Sequence, residues 1–268
     1  MTAPTRFGVL AIAALLFLGG CSGTATTAPA GTAGATGSPA VATSTATAAK
    51  AGDTVDAAAL LKQAVAAAKN VKTQSAKIDM TLTVPGTQAQ AMKMESVMDQ
   101  SQADHVKAKM TMNLGTVAME MVIDGENYYI KLADVWYKTT KAQIEKTSGS
   151  VTSAVDQASM IEKLQSGVKQ AVLVGDDTVE GTATKHYKLT LDAGAFSGIA
   201  GGTSTAAPTV TEDFPYDIWL DSAGLTRKVD LEVLESGTGM AMTATFGNFN
   251  EPVTIEIPKD AKALPGTS

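Results

Sequence analysis

The chain has 268 residues, and its 27 acidic residues outnumber its 21 lysines and arginines, which leaves a net charge of −6 at neutral pH. This acidic balance argues against binding to nucleic acid and against docking onto anionic lipids through a basic patch. A single cysteine, Cys21, excludes an intrachain disulfide, so an exported domain must be stable without covalent cross-links.

The first residues have the layout of a secretory signal. Arg6 precedes an apolar run over 7–18, and small residues follow that run. Because a transmembrane helix needs roughly 20 apolar residues, this shorter run predicts a signal peptide over 1–20 that is removed from the mature protein.

The end of the run, Leu18-Gly19-Gly20-Cys21, resembles the bacterial lipobox. The resemblance implies cleavage before Cys21, attachment of diacylglycerol to its thiol, and addition of a fatty acid such as palmitate to the new N-terminus. Several acyl chains on one residue anchor a protein firmly, because each buried methylene contributes about 0.8 kcal/mol. We therefore predict a lipid-anchored protein on the extracytoplasmic face of the cell membrane. The alternative is an ordinary cleaved signal with an incidental cysteine.

Residues 21–52 consist almost wholly of Ala, Thr, Gly, Ser and Pro. This composition has too little apolar bulk to offset the entropy of ordering, so it predicts a disordered tether. A flexible coil of about 30 residues spans roughly 30 Å on average, which is enough to lift a domain clear of the head groups. The folded domain is predicted over 53–268, which is long enough for one substantial core.

The folded part begins with a predicted helix from Ala58 to Val71. Asp53 or Thr54 is a suitable N-cap, and Leu61 and Val65 fall on one apolar face at helical spacing. This amphipathic pattern predicts a helix that packs on an apolar surface.

After this helix the apolar period changes from 3.6 to 2, which indicates half-buried strands. Pro85-Gly86 and Asp124-Gly125 supply turns between strands, and another turn is predicted near Asp176-Asp177. A loop of small residues is predicted over 194–211. The alternating stretches include 76–84, 92–98, 106–112, 117–123, 187–191, 216–220, 229–233, 240–246 and 253–257.

A second helical region interrupts these strands. A short helix is predicted over 139–146, and Ser153-x-x-Asp156 matches a capping box before Met160 and Leu164. Two helical regions and about ten or eleven antiparallel strands with one apolar face predict an α+β fold: a curved antiparallel sheet with helices against one side. Because so few helices cannot cover so much sheet, we expect part of its apolar face to be left for a guest molecule.

Signals of catalysis are weak. The two histidines, His105 and His186, adjoin alternating strand patterns and are interpreted as surface or rim residues. The sequence contains none of the usual serine-nucleophile, zinc or Cys–His motifs. We therefore predict that the protein is not an enzyme and holds no metal or cofactor. A calcium site at the acidic pairs Asp176-Asp177 or Glu212-Asp213 has only their charge in its favour.

Methionine is frequent, with 12 in the chain, and most fall on the apolar side of predicted strands. Flexible, polarisable thioethers suit a cavity that accepts acyl chains of varying shape. Ordinary core packing is the alternative, and it explains any single methionine better. The candidate lipid-cavity residues, all on the apolar sides of predicted helices and strands, are Leu61, Val65, Met80, Leu82, Met110, Met112, Met119, Met121, Met160, Leu164, Leu189, Ile218, Leu231, Met240 and Met242.

Taken together, these features resemble the mycobacterial LppX/LprA/LprF/LprG lipoproteins, over roughly 53–258. The segments that carry the resemblance are lipobox Cys21 with its tether, the helix 58–71 leading into Ser75–Thr81, the strands at 215–221 and 225–229, and the closing segment 246–255.

The resemblance implies a half-open β-barrel wrapped around helices on its concave side, related to the LolA/LolB carriers and to RseB. It further implies a protein that holds an acylated lipid or glycolipid in an apolar cavity and carries it across the cell envelope. The alternative is an RseB-like sensor or regulator, or an envelope interaction module, whose partner is another protein such as an envelope transporter or regulator.

Overall fold

A computed structural model describes residues 49–264 except 103, 116, 149–156 and 200–209. The predicted signal peptide, Cys21 and nearly all of the tether lie outside the described residues, as does the predicted capping box Ser153-x-x-Asp156. The longest helix in the described ranges has 12 residues, and none of them is long and apolar enough to cross a bilayer.

The described residues form one sheet of thirteen strands, together with four helices. The strands are β1 (Thr54–Val55), β2 (Thr73–Thr83), β3 (Gln90–Asp99), β4 (Lys107–Leu114), β5 (Val117–Asp124), β6 (Asn127–Leu132), β7 (Val135–Thr140), β8 (Val168–Val179), β9 (Thr182–Leu191), β10 (Phe214–Asp221), β11 (Thr226–Glu235), β12 (Thr238–Gly247) and β13 (Lys262–Ala263). The helices are α1 (Ala57–Ala68), α2 (Lys141–Ser148), α3 (Gln157–Gln165) and α4 (Ala193–Ile199).

The strand order across the sheet is β1-β8-β9-β10-β11-β12-β2-β3-β4-β5-β6-β7-β13. All neighbours are antiparallel except β13, which runs parallel to β7. The sheet is curved and open, with β1 and β13 at its two edges. The predicted α+β fold is confirmed, and the eleven strands of six residues or more agree with the number expected from alternation.

One face of the sheet carries the apolar core, and we call it the inner face. On β2 the inner face bears Ala76, Ile78 and Met80, whereas Lys77 and Asp79 lie exposed on the outer face. Because side chains alternate along every strand, the pairing register extends the same parity across the sheet.

Helices α1, α3 and α4 cover the inner face of β8–β12 and β2. Their side chains Leu61, Leu164 and Phe196 belong to one buried cluster with strand residues such as Leu189 and Ile218. We call this region the covered half.

Helix α2 covers a smaller area near one end of strands β3 to β6. There Ile144 packs with Met98, Met110, Ile123 and Tyr128. Several other inner-face side chains of β2 to β6 belong neither to the buried cluster under α1, α3 and α4 nor to the buried cluster under α2.

Helix α1 begins at Ala57, next to the predicted start at Ala58, but it ends at Ala68 and not at Val71, and its N-cap is not one of the two predicted. Its N-cap is Asp56, whose carboxylate accepts a hydrogen bond from the backbone N–H of Ala59 at 2.9 Å. Asp53 and Thr54, the predicted caps, precede it, and Thr54 belongs to the short strand β1. Asp and Thr are both good caps, so propensity alone could not choose between neighbouring positions.

The predicted strand at 253–257 is absent. Residues 251–261 run without regular structure from Thr73, whose carbonyl accepts from Asn250 N–H, to the edge strand β7. Pro252 and Pro258 bound the segment, and proline cannot donate to a strand ladder. Alternation of Val253, Ile255 and Ile257 therefore marks half-buried side chains on an extended segment, not a strand.

Two further predictions near β8 and β9 were wrong. Strand β8 continues through Asp176-Asp177, with a bulge before Gly175, so the turn falls at Glu180-Gly181. The predicted loop over 194–211 is wrong over 194–199, which belong to helix α4 with Phe196 in the core, whereas 200–209 lie outside the described residues. Burial of Phe196 offsets part of the entropy cost of ordering a stretch that otherwise has the composition of a loop.

Candidate functional site

Five adjacent strands present methionine on the inner face. Strands β12, β2, β3, β4 and β5 lie side by side, and ten methionines occupy their inner-face positions. Four of the ten, Met98, Met110, Met240 and Met242, are buried. The other six are half-buried, and we call them the methionine face: Met80, Met92, Met94, Met112, Met119 and Met121.

Strand pairing aligns these side chains in rows that cross the sheet. In the first row Met242 pairs with Met80, Met80 with Met92, Met92 with Leu114, and Leu114 with Val117. Cβ atoms of directly opposed residues lie about 5 Å apart, so neighbours in the row contact one another. The row is therefore a continuous apolar strip.

A second row lies one step further along the strands. It runs from Ala244 through Ile78, Met94 and Met112 to Met119. With strands about 4.8 Å apart, five strands extend roughly 19 Å across the sheet. Two such rows form an apolar surface and not an isolated contact.

Exposure rises along each row away from the helices. In the first row Met242 is 9% exposed, whereas Leu114 is 41% and Val117 is 58% exposed. In the second row Ala244 and Ile78 are buried, and Met94, Met112 and Met119 are half-buried. The sheet thus passes from a covered core to a partly exposed apolar face, on which Met80, Met94 and Met121 still pack against the two buried clusters.

The methionine face carries no charge, whereas the reverse side of the same strands is densely charged. Outer-face ion pairs join Lys93 to Asp79 at 2.7 Å and Lys131 to Glu120 at 2.8 Å. The hydrogen bond from Lys131 holds the pKa of Glu120 below its usual value. The outer face is thus mainly charged, although Val122 and Tyr129 are buried on it, whereas the methionine face is wholly apolar.

The predicted cavity residues divide into two groups. Those in the core are buried: Leu61, Val65, Met110, Leu164, Leu189, Ile218, Leu231, Met240 and Met242. Those with accessible surface are half-buried: Met80, Leu82, Met112, Met119, Met121 and Met160. The structure brings the second group together on the open inner face, apart from Met160, which lies on α3. Their contact with a ligand stays a prediction.

Met92 and Met94 belong to the methionine face but were not among the candidate residues. Their own strand alternates less regularly in sequence, because Ser96 interrupts the inner-face series. The signal that identifies them is the pairing of Met92 with Met80 and of Met94 with Ile78, which requires the register.

A cleft of about 520 Å³ lies between α1, α3 and the start of β2, at the end of that strand away from Met80. Its lining mixes polar and apolar side chains, and the ion pair between Lys69 and Glu162, at 2.6 Å, lies at its wall. A second groove of about 320 Å³ lies on the outer face beside Lys77, Glu95 and Lys109. Neither space is lined by the methionine face.

Each of the two histidines forms a contact with an aspartate outside the core. His105 bonds Asp124 and His186 bonds Asp217, each at 2.6 Å. His186 also stacks on Trp219 with 4.1 Å between ring centroids. Among the described residues, no three His, Cys, Asp or Glu side chains are grouped as metal ligands.

The sequence from 56 to 255 matches the model of the LppX_LprAFG lipoprotein family. The chain belongs to this family. The resemblance noted from the sequence is therefore confirmed, and the chain is an LppX_LprAFG lipoprotein. A comparison with curated proteins gives no significant match.

Solved structures of the same family share the fold. Lipoprotein LppX from Mycobacterium tuberculosis is 17% identical, with a TM-score of 0.50, 74% of this chain covered and 97% of LppX. LprF from Mycobacterium bovis is 16% identical, with a TM-score of 0.52, 76% of this chain covered and 96% of LprF. The MucA/MucB complex of Pseudomonas aeruginosa is more distant, with a TM-score of 0.40.

Proposed function

We propose that this protein is a membrane-anchored, extracytoplasmic lipoprotein that binds an acylated lipid or glycolipid and carries it within the cell envelope without catalysis. Cys21 would carry the anchor, and the methionine face would hold the acyl chains. The observation that carries the proposal is an uncharged, half-exposed apolar strip on the inner face, beside the half that the helices cover.

The physical argument rests on the cost of leaving this strip in water. Monomeric soluble proteins seldom expose contiguous apolar surface unless it binds something. Each methylene of a bound chain contributes about 0.8 kcal/mol on burial, so one long chain contributes on the order of 10 kcal/mol before ordering costs. Methionine suits this role because its unbranched side chain adapts to chains of different length and saturation.

Membership of a lipoprotein family supports the anchor, and the shared fold supports the carrier role. The charged outer face supplies solubility while the inner face desolvates the acyl chains. A polar head group would remain at the border of the methionine face, where solvent is accessible.

The direct test is native mass spectrometry of the purified protein, followed by titration with a fluorescent fatty-acyl probe. We expect co-purified lipid, or saturable uptake of the probe by the emptied protein. Protein free of lipid that takes up no probe would contradict the proposal.

A matched pair of variants on one strand assigns the site. Met112→Glu places a charge on the methionine face, and we expect probe affinity to fall at least about tenfold because the carboxylate must be desolvated. Asn113→Glu places the same charge on the adjacent outer-face position, opposite Lys93, and should leave affinity unchanged. Equal losses in both variants would show that the binding site is elsewhere.

A further inference from the structure

Four hairpins turn at the same end of the sheet. The pairs β11–β12, β2–β3, β4–β5 and β6–β7 are consecutive in the strand order, and each connects at this end. The first two turns touch, because a Cβ placed on Gly237 would lie 3.4 Å from Cγ of Pro85. The first two tips are therefore in contact, and the four lie side by side along this end of the sheet.

Exposed apolar side chains are concentrated at these tips. Of the large apolar residues that are exposed in the described part of the chain, four lie at these tips and only Val174 lies elsewhere. Together with half-buried Val84 at the β2–β3 turn, they define what we call the hairpin rim: Val84, Leu114 (41% exposed), Val117 (58%), Leu132 (44%) and Leu234 (68%).

The two central hairpins of the rim carry no charge over long stretches. Residues 81–92 and 110–119 contain no Asp, Glu, Lys, Arg or His. Turns at the other end of the sheet are acidic instead, with Asp104, Asp124 and Glu180 at or beside three of them. The flanking hairpins do carry charge, with Asp134 in the β6–β7 turn and Glu235 beside the β11–β12 turn, so the two central hairpins form the part of the rim that can lie against hydrocarbon without desolvating charge.

The rim is continuous with the methionine face. Leu114 and Val117 are the last two members of the row that begins at Met242 and passes through Met80 and Met92. An acyl chain that entered over the rim would reach the methionine face along one apolar strip. Such a strip, with its end against a bilayer, lets an acyl chain leave the bilayer without crossing water.

We infer that the hairpin rim docks on the surface of a lipid bilayer and opens the methionine face toward it. The inference deepens the proposed function, since it states how the lipid would enter and leave. Its partner is the bilayer itself, bound by shallow insertion of apolar side chains and not by a basic patch.

The test places an environment-sensitive label at single positions. Full-length chain with its acyl anchor is reconstituted into phosphatidylcholine vesicles, and an NBD label is attached to Val117→Cys or Leu234→Cys. Acylated Cys21 leaves the introduced residue as the only free thiol, and the unsubstituted chain, treated in the same way, checks this. The control label is Ala223→Cys, exposed in the β10–β11 turn at the acidic end.

Relative to the same labelled chain without vesicles, we expect NBD emission at 117 and 234 to rise at least about twofold and to shift to the blue, because the label becomes buried at the membrane interface. Emission at 223 should not change. Absence of change at the rim, or an equal change at 223, would overturn the inference. A rise without vesicles that grows with protein concentration would show that a second copy covers the rim, and would also overturn it.

A functional readout separates this inference from the proposed function. Leu234 lies at the rim on the outer face, away from the methionine face. The variant Leu234→Asp should slow lipid transfer to acceptor vesicles about tenfold, because inserting a carboxylate into the bilayer is costly. Ala223→Asp should leave transfer unchanged. If both transfer at the same rate while the soluble acyl probe still binds, docking fails and the proposed lipid binding stands.

Discussion

The covered half and the methionine face belong to one sheet and share one alternation, yet they differ in residue type. Under the helices the inner face is built of Leu189, Ile218, Val229 and Leu231, all nearly inaccessible to solvent. Beyond the helices the same parity is occupied mainly by methionine. Alternation sets which face is apolar, and side-chain shape then separates fixed packing against helices from a surface that adapts to a guest.

Truncation should separate the two regions most strongly. Ile218→Ala removes a fully buried side chain from a closed core, so we expect the free energy of unfolding to fall by about 2–5 kcal/mol. Met112→Ala on the open face loses fewer contacts, and we expect a loss of about 1 kcal/mol. Urea denaturation of the two variants measures both values. If Met112→Ala costs as much as Ile218→Ala, the methionine face is closed core and the comparison fails.

Oxidation should act mainly on the methionine face, since Met160 on α3 is the one half-buried methionine of the described chain outside it. Hydrogen peroxide transfers an oxygen atom to an accessible thioether, giving a polar sulfoxide and water. The half-buried methionines should react before the buried ones, and affinity for the acyl probe should fall about tenfold. Peptide mass spectrometry locates the sulfoxides.

The matched control is the variant Met94→Leu/Met112→Leu/Met119→Leu, which keeps the apolar volume and removes the sulfur. It should bind the probe with nearly normal affinity before peroxide treatment and lose less affinity after it. Equal loss in this variant and in the unsubstituted chain would mean that oxidation acts at other positions.

The smallest expected effect is on pH dependence. Two carboxyls have pKa values below their ordinary ones because each accepts a hydrogen bond. Glu120, near the methionine face, accepts from Lys131, and Asp177, on the covered half, accepts from the indole of Trp219. A carboxyl with a lowered pKa stabilises the folded state while it is ionised. This contribution is present above the ordinary values of 4.5 and 3.8 and is lost as the pH falls below them.

Denaturation midpoints measured from neutral to acidic pH should therefore fall, and Glu120→Gln or Asp177→Asn should each flatten the decline. Acyl-probe affinity should change little over the part of this range in which the protein stays folded, because the methionine face has no titratable group. A fall in affinity that tracks Glu120 would show that the charged outer face contributes to the site.

Much of this architecture follows from sequence periodicity. Alternation at 76–84 and 106–112 predicted β2 and β4 and assigned Met80, Met110 and Met112 to the apolar face. It could not separate Leu189, which the helices bury, from Met119, which they do not. Coverage depends on where α1, α3 and α4 pack, and that is a property of the chain as a whole.

Local composition also misled in two places for physical reasons. Small residues concealed α4, which is held by the contact of Phe196 with Phe214, 5.7 Å apart between ring centroids. Alternation at 253–257 suggested a strand where the chain, bounded by Pro252 and Pro258, has no regular structure. In both cases the position of the segment in the whole fold outweighed the local pattern.

A wide sheet that does not close on itself has two edges, and each edge is a template on which another molecule could add a strand. Here the first strand of the described chain, β1, lies along one edge and the last, β13, along the other. The part of β8 beyond β1 is bent by the bulge before Gly175 and carries Asp176 and Asp177. For a protein proposed to be concentrated on a membrane, where neighbours meet often, this arrangement opposes edge-to-edge aggregation.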